Sequence, residues 1–285
     1  MSRKCASRAV GLDEGLGFSR WLTGAENLHY GLWTGLEVSA ANLRAAQDAY
    51  TAKLLTYLPA GCLRILDIGG GAGVTARKLV ALGHKVEIVV PSAILAGRCR
   101  DNAPEARVHE CTFEDFTADE RFDVCLFSES FLYVPLDIAL GKALSLLGAG
   151  GVVVIADCFR SEAYRDAKAD GRKPGGGHYV GAFRDTVSHL PVKIDREEDI
   201  ADAVAPSIDL EQGLFNVIGD GLVRLDAELA ARRPWVRRVA LGALPRLLSR
   251  RRSEAILRRL TLRERTSEAF VAYNRYLMLR LVSRP

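Results

Sequence analysis

The 285-residue chain predicts an α/β fold: a mostly parallel sheet with helices on both faces. Three observations carry this. Short apolar runs, rich in β-branched and aromatic residues, recur along the first two hundred residues. Stretches of helical period separate them. The first run opens into a glycine-rich turn followed at once by a helical segment. Strands that alternate with helices need crossover connections, which give right-handed βαβ units and a sheet buried on both faces.

The elements follow in order. Residues 40–58 predict a helix, and residues 62–68 a strand that carries Asp67 near its end. Gly69, Gly71 and Gly73 then let the backbone turn sharply and approach a ligand with no Cβ in the way. The helix predicted over 74–82 offers its unpaired N–H groups and positive dipole end to a carboxylate or phosphate. Further strands are predicted over 86–90, 108–111, 122–127, 151–157 and 191–200, and helices over 92–102 and 136–147. Ligands of such sheets sit beyond the carboxyl ends of the strands, at the switch point beside the first one. The residues to inspect for chemistry are therefore 67–73, 90–92, 112–115, 128–133 and 157–160.

Composition fits one globular core with appended elements, since the length exceeds that of a common single domain. No run of eighteen apolar residues occurs, and residues 1–11 lack the apolar stretch of a secretory signal, so the expected location is the cytoplasm. Cysteines 5, 62, 99, 111, 125 and 158 form no C-x-x-C pair and read as reduced core residues. No H-E-x-x-H, paired Cys/His cluster or acidic calcium loop appears, and no metal site is expected.

Charge is uneven. Residues 224–265 hold thirteen arginines, no lysine and four acids, a local +9 against +4 for the whole chain. Arg232, Arg233, Arg237, Arg238, Arg246 and Arg250 to Arg252 interleave with Trp235, Val236, Val239, Leu244, Leu247 and Leu248. Such a segment suits an anionic membrane surface, giving peripheral association, or an acidic acyl carrier protein. It equally suits a lid whose arginines face solvent. Pro234 and Pro245 divide it. Nucleic acid is not expected, because no binding module accompanies the arginines.

The acid followed by G-x-G-x-G at 67–73 resembles the first motif of class I S-adenosylmethionine-dependent methyltransferases. The resemblance covers roughly residues 28 to 200. It implies a Rossmann-like, mostly parallel seven-stranded sheet with a helical lid, and S-adenosylmethionine or S-adenosylhomocysteine as cofactor. It also implies contacts to the cofactor from Asp67, Gly69, Gly71 and Gly73. The second strand of the family usually ends in an acid for the ribose hydroxyls. Here Val90 matches that position, and Ser92, a backbone group or Glu87 is left to substitute. Thr112 and the Phe113 amide match the adenine edge, again without the usual acid. Ser128, Glu129 and Tyr133 match the end of the fourth strand, beside the methionine and the acceptor.

The element Asn27-Leu-His-Tyr-Gly-Leu-Trp33 resembles the lid of the branch that methylates sterols, tocopherols, quinone precursors and fatty acyl chains. It places His29, Tyr30 and Trp33 at the acceptor, unless Tyr30, Leu32 and Trp33 are a hydrophobic plug that packs an N-terminal helix on the core. Asp157 matches the fifth-strand end near the same pocket. The expected organisation is an N-terminal helical lid (1–58), a cofactor-binding core (59–205) and a helical, arginine-rich cap (206–285). The activity implied is C- or O-methylation of a small, apolar or lipid-like molecule, with His178, Tyr133 and Glu129 as candidate catalytic groups. Two alternatives stay open: a non-methylating cyclase, decarboxylase or regulator that binds the same cofactor, and an NAD-type oxidoreductase.

Overall fold

In the computed structural model, residues 24, 26–169, 176–247, 260 and 265–284 are described. An extended stretch leads into α1 (Leu43–Leu55). β1 (Arg64–Ile68), β2 (Lys85–Val89), β3 (Arg107–His109), β4 (Phe122–Ser128) and β5 (Leu147–Arg160) pair in parallel. The crossovers are α2 (Val74–Ala81), α3 (Ala93–Asn102) and α4 (Leu136–Leu146). After β5 come α5 (Ala163–Ala169), α6 (Val180–Ser188), β6 (Val192–Asp199), α7 (Ala201–Val204), α8 (Pro206–Arg232), α9 (Pro234–Leu247), α10 (Ser267–Tyr273) and β7 (Asn274–Ser283).

The sheet has seven strands in the order β3-β2-β1-β4-β5-β7-β6, with β7 antiparallel to both neighbours. This corrects the expected organisation. Residues 206–285 do not form only a helical cap, because Asn274–Ser283 make an inner strand of the core sheet. The physical reason is burial on both faces. Tyr276, Leu277, Met278, Leu279 and Leu281 are all buried, so the run has no polar alternation to mark it as a strand.

Two apolar layers clamp the sheet. Tyr50, Leu54, Ile65, Ile88, Met278 and Ile208 belong to one, and Leu66, Phe127, Phe131, Leu140, Phe183 and Leu279 to the other. A fully buried side chain of this size contributes roughly 1.5–3 kcal/mol. The strand ends are thus held rigidly, which is what a site built on them needs. β1 pairs with β2 on one side and β4 on the other, so the crevice opens over the carboxyl ends of β1 and β4. Among the described residues no helix is long and apolar enough to cross a membrane.

Candidate active site

The glycine turn after β1 is built from left-handed backbone. Gly69, Gly71 and Gly73 have φ of 75°, 55° and 83°, which side chains disfavour. Their surroundings differ. A Cβ on Gly69 would lie 2.4 Å from the Ser130 Cβ, and one on Gly73 2.9 Å from the Cys99 Cα. At Gly71 it would meet only a Leu28 methyl at 3.6 Å. Gly71 is thus the glycine with room beside it. Gly70 covers the Asp67 carboxyl, whose Oδ2 is buried and has no hydrogen-bond partner. Burial pushes the pKa of Asp67 up to about 7.

Above this turn lies a cavity of about 690 Å³. Residues 26–29, 67–72, 89–92, 112–114 and 128–130 line it, with Val74, Thr75, Leu95, Tyr133 and Val134. The volume suits a nucleoside-sized ligand together with a small partner. Asp67, Gly69, Gly71, Val90, Ser92, Thr112, Phe113 and Ser128 all share this wall; Gly73 sits just behind it as the residue capping α2. Ser92 caps α3, its Oγ accepting from the Leu95 amide at 3.3 Å. Thr112 donates to Asp115 at 2.8 Å, and Phe113 stands edge-on to Phe127. Glu87 is engaged on the far side by Arg64 and His109, which hold its carboxyl below the usual range against the opposing effect of burial.

Glu129 is the one non-glycine residue with positive φ (54°) among the described residues. The end of β4 forces that conformation, with the Glu129 amide donating to the Ala156 carbonyl at 2.8 Å. The kink turns its carboxyl onto a line of long-range partners. Its Oε1 accepts from the Tyr30 amide at 2.8 Å and from the Tyr276 hydroxyl at 2.7 Å. Tyr276 meets the Tyr50 hydroxyl at 2.8 Å, which in turn meets Ser128 Oγ at 3.3 Å. Burial outweighs these bonds and pushes the pKa of Glu129 up to about 7. A backbone outlier, a buried carboxyl near neutrality and a cavity coincide here, the pattern of a functional group.

The other candidates divide. His29 lines the cavity, stacks on Tyr50 with ring centroids 4.5 Å apart, and donates from Nδ1 to the Tyr30 carbonyl at 2.8 Å. Burial lowers its pKa to about 4, so it is neutral at physiological pH. Tyr133 lines the cavity and is half exposed. Trp33 is 4% exposed and points the other way, donating from Nε1 to Ser207 Oγ at 2.8 Å. Tyr30 packs edge-on to Phe270 and accepts from Arg265 at 3.2 Å.

His178 and Asp157 lie outside the lining of the cavity. His178 Nε2 donates to the Phe131 and Val134 carbonyls, at 3.2 and 3.0 Å. Asp157 accepts from the Leu132 amide at 3.0 Å and the Cys158 amide at 2.7 Å. Both therefore hold the turn over residues 131–134 that bears Tyr133. Desolvation dominates the Asp157 pKa and pushes it up to about 8.

Sequence reasoning missed Tyr50 and Tyr276, which hold Glu129, and Glu26, which lines the cavity with Arg98 and Asn102 on its carboxylate. It also missed Ser130, whose hydroxyl donates to the Ile68 carbonyl and ties β4 to β1. Two of these had a sequence signal: Tyr276 by its place in the apolar run of β7, and Ser130 by lying in the stretch 128–133 at the end of the fourth strand.

The methyltransferase domain family matches residues 66–155. In sequence the chain is 32% identical over 104 residues to a ubiquinone biosynthesis O-methyltransferase of Rhodopseudomonas palustris (strain HaA2). That match covers 35% of this chain and 41% of the relative, so it spans about two fifths of the relative's length. In structure it superposes on geranyl diphosphate C-methyltransferase from Streptomyces coelicolor A3(2), solved with Mg2+, geranyl-S-thiolodiphosphate and S-adenosyl-L-homocysteine. The TM-score is 0.66 at 14% identity, covering 99% of this chain and 98% of that one. The [4+2]-cyclase SpnF gives a TM-score of 0.62 at 16% identity over 90% and 87% of the two chains. The fold is that of the class I methyltransferases, and residues 66–155 are the stretch that matches the methyltransferase domain family.

Proposed function

We propose that the chain is an S-adenosylmethionine-dependent methyltransferase acting on a small, apolar or lipid-like acceptor. The observation that carries this is a cavity whose lining includes both the glycine turn and Glu129. The residues fit the cofactor: Gly71 leaves room for close backbone approach, and the buried Asp67 Oδ2 lacks a partner. When bound, the cofactor supplies an electrophilic methyl group on a sulfonium. The chain's own work is then alignment, exclusion of water and custody of one proton.

Glu129 is the group placed to take that proton. With its pKa near 7, a substantial fraction is ionised at neutral pH, and it can accept the proton that a hydroxyl or carbon acid gives up as the methyl bond forms. Tyr276 and the Tyr30 amide fix its position. Tyr133 and His29 border the space left for the acceptor. The apolar character of the acceptor is supported by Val134, Leu28 and Val74 in the lining.

An anionic membrane or an acidic acyl carrier remains the proposed partner. Val217, Leu222, Val223 and Leu225 of α8 and Trp235 and Val239 of α9 are exposed, Trp235 by 68%, close in sequence to exposed Arg224, Arg233 and Arg238. Arg250 to Arg252 lie outside the described residues. Sedimentation with anionic and neutral vesicles, and titration with an acyl carrier protein, at low and moderate salt test it. Binding confined to low salt supports it, and no binding to either rejects it.

The activity is tested by calorimetry with S-adenosylhomocysteine and NAD, followed by transfer of labelled methyl to a panel of phenolic, isoprenoid and acyl acceptors. Binding of the first ligand alone with label transferred to an acceptor supports the reading. A second reading, a cyclase on the same fold, is favoured by the similarity to SpnF. Tight S-adenosylhomocysteine binding with no label transferred to any acceptor would point there, and preferred binding of NAD would reject both.

A further inference from the structure

On doubly wound sheets an Asp or Glu about twenty residues after the glycine turn takes the ribose hydroxyls of a nucleotide. In this chain that place is the end of β2, and it is occupied by Val89, Val90 and Pro91. Both valines are buried, and all three residues line the cavity, with Leu95 beside them. Three nearby carboxylates are engaged elsewhere, and a fourth, Glu114, is exposed at the cavity edge. Glu87 holds Arg64 and His109, and Asp115 accepts from Thr112. Glu26 carries Arg98 and Asn102. The adenine edge is equally apolar, with Phe113 4% exposed against Phe127. Two ribose hydroxyls placed against Val89, Val90, Pro91 and Leu95 lose water and meet no carboxylate among these four, the Ser92 hydroxyl being the neutral polar side chain beside them.

Building on the adenosyl-cofactor reading above, we propose that the nucleoside half of this site selects its ligand by shape and apolar contact and does not read the vicinal ribose hydroxyls. The chain then takes ribose-deoxygenated relatives of the cofactor about as well as the parent. A carboxylate gripping a diol makes two charge-assisted bonds, and losing either costs more than about tenfold in affinity. A wall of valine, proline and leucine makes none.

The test is calorimetric titration of the full chain with S-adenosylhomocysteine and with its 2′-deoxy and 3′-deoxy analogues. Affinities within about tenfold of the parent, or tighter, are expected. A loss beyond tenfold for either analogue overturns the proposal. Failure of S-adenosylhomocysteine itself to bind is a different result, because it rejects the cofactor reading on which the proposal rests. Ser92→Ala, Glu26→Gln and Glu114→Gln, the last on an exposed residue at the cavity edge, locate any hidden reader. Each should leave the ratio of parent to analogue unchanged; a variant that weakens the parent and spares an analogue overturns the proposal. Val90→Asp installs the missing acid and should raise the ratio above tenfold. Where that variant fails to fold by circular dichroism, Val90→Asn serves in its place, and the measurements on the unmodified chain stand alone.

Discussion

Two turns lie side by side at the carboxyl ends of β1 and β4, and they are made in opposite ways. The turn after β1 is local: three left-handed glycines within five residues, set directly between a strand and a helix. The turn after β4 is assembled from a distance. Glu129 is held by Tyr30, 99 residues away, and by Tyr276, 147 residues away, and Asp157 braces the next residues from β5. The first turn offers bare backbone, and the second a carboxyl under the control of its neighbours. A ligand common to a fold can be met by backbone, whereas an acceptor that varies needs side chains brought from several elements.

That contrast can be broken or sharpened by substitution. The largest effect is expected at Glu129→Gln, which should lower methyl transfer about 10²–10⁴-fold with S-adenosylhomocysteine affinity unchanged. The parent's rate should rise as pH passes about 7, where the carboxyl ionises, and that limb should vanish in the variant. Tyr276→Phe keeps the carboxyl but removes a bond that stabilises its charge, so the limb should move to higher pH. A pH–rate profile that ignores both changes would remove Glu129 from the chemistry.

Next in size, Gly71→Val should weaken S-adenosylhomocysteine binding about a hundredfold in a protein that still folds with some loss of stability, because the left-handed backbone strains valine but only the Leu28 methyl is near. Gly69→Val, by contrast, drives a side chain into Ser130 and should cost the fold itself. Thermal melts beside calorimetry separate the two. Equal losses of stability would erase the distinction between a cradle and a packing glycine.

The two buried aspartates give a smaller, opposite pair. Asp67 has its pKa raised to about 7, so between pH 4 and 7 the folded chain holds a proton that the unfolded chain has released. Stability therefore falls as pH rises through that window and stays lower above it. Asp67→Asn removes this share of the slope and leaves those of Glu129 and Asp157, and urea titrations should find the variant equal to the parent at pH 4 and more stable at pH 8, by on the order of 1–3 kcal/mol. The neutral His29, whose pKa is about 4, adds an opposing slope below pH 6.5 that both proteins share. Asp157→Asn should destabilise at acid pH, because both its oxygens accept amide protons and an NH₂ would face a donor, and the gap should narrow as pH rises toward about 8, where the parent's carboxyl ionises. The smallest effect is expected at His178→Asn: a slightly lower melting temperature, and a rate within about tenfold of the parent, below the range of a lost general base.

What the sequence determined by itself is the half of the site that depends on chain-local geometry. Asp67, Gly69, Gly71 and Gly73 were legible because a strand, a sharp turn and a helix start are contiguous, and left-handed backbone has a residue type that announces it. Val90 was legible for the same reason, as the last position of an apolar run. The alternation of strands and helices likewise disclosed the parallel part of the sheet, and the match over residues 66–155 falls on this local part. Tertiary structure decided the rest. It turned 274–283 into an inner strand, set Tyr276 and Tyr50 on Glu129, faced Trp33 away from the cavity, and gave His178 to the carbonyls of a turn. Each of these depends on which distant segments meet. Periodicity reports that a residue is buried, and only the packed fold reports against what.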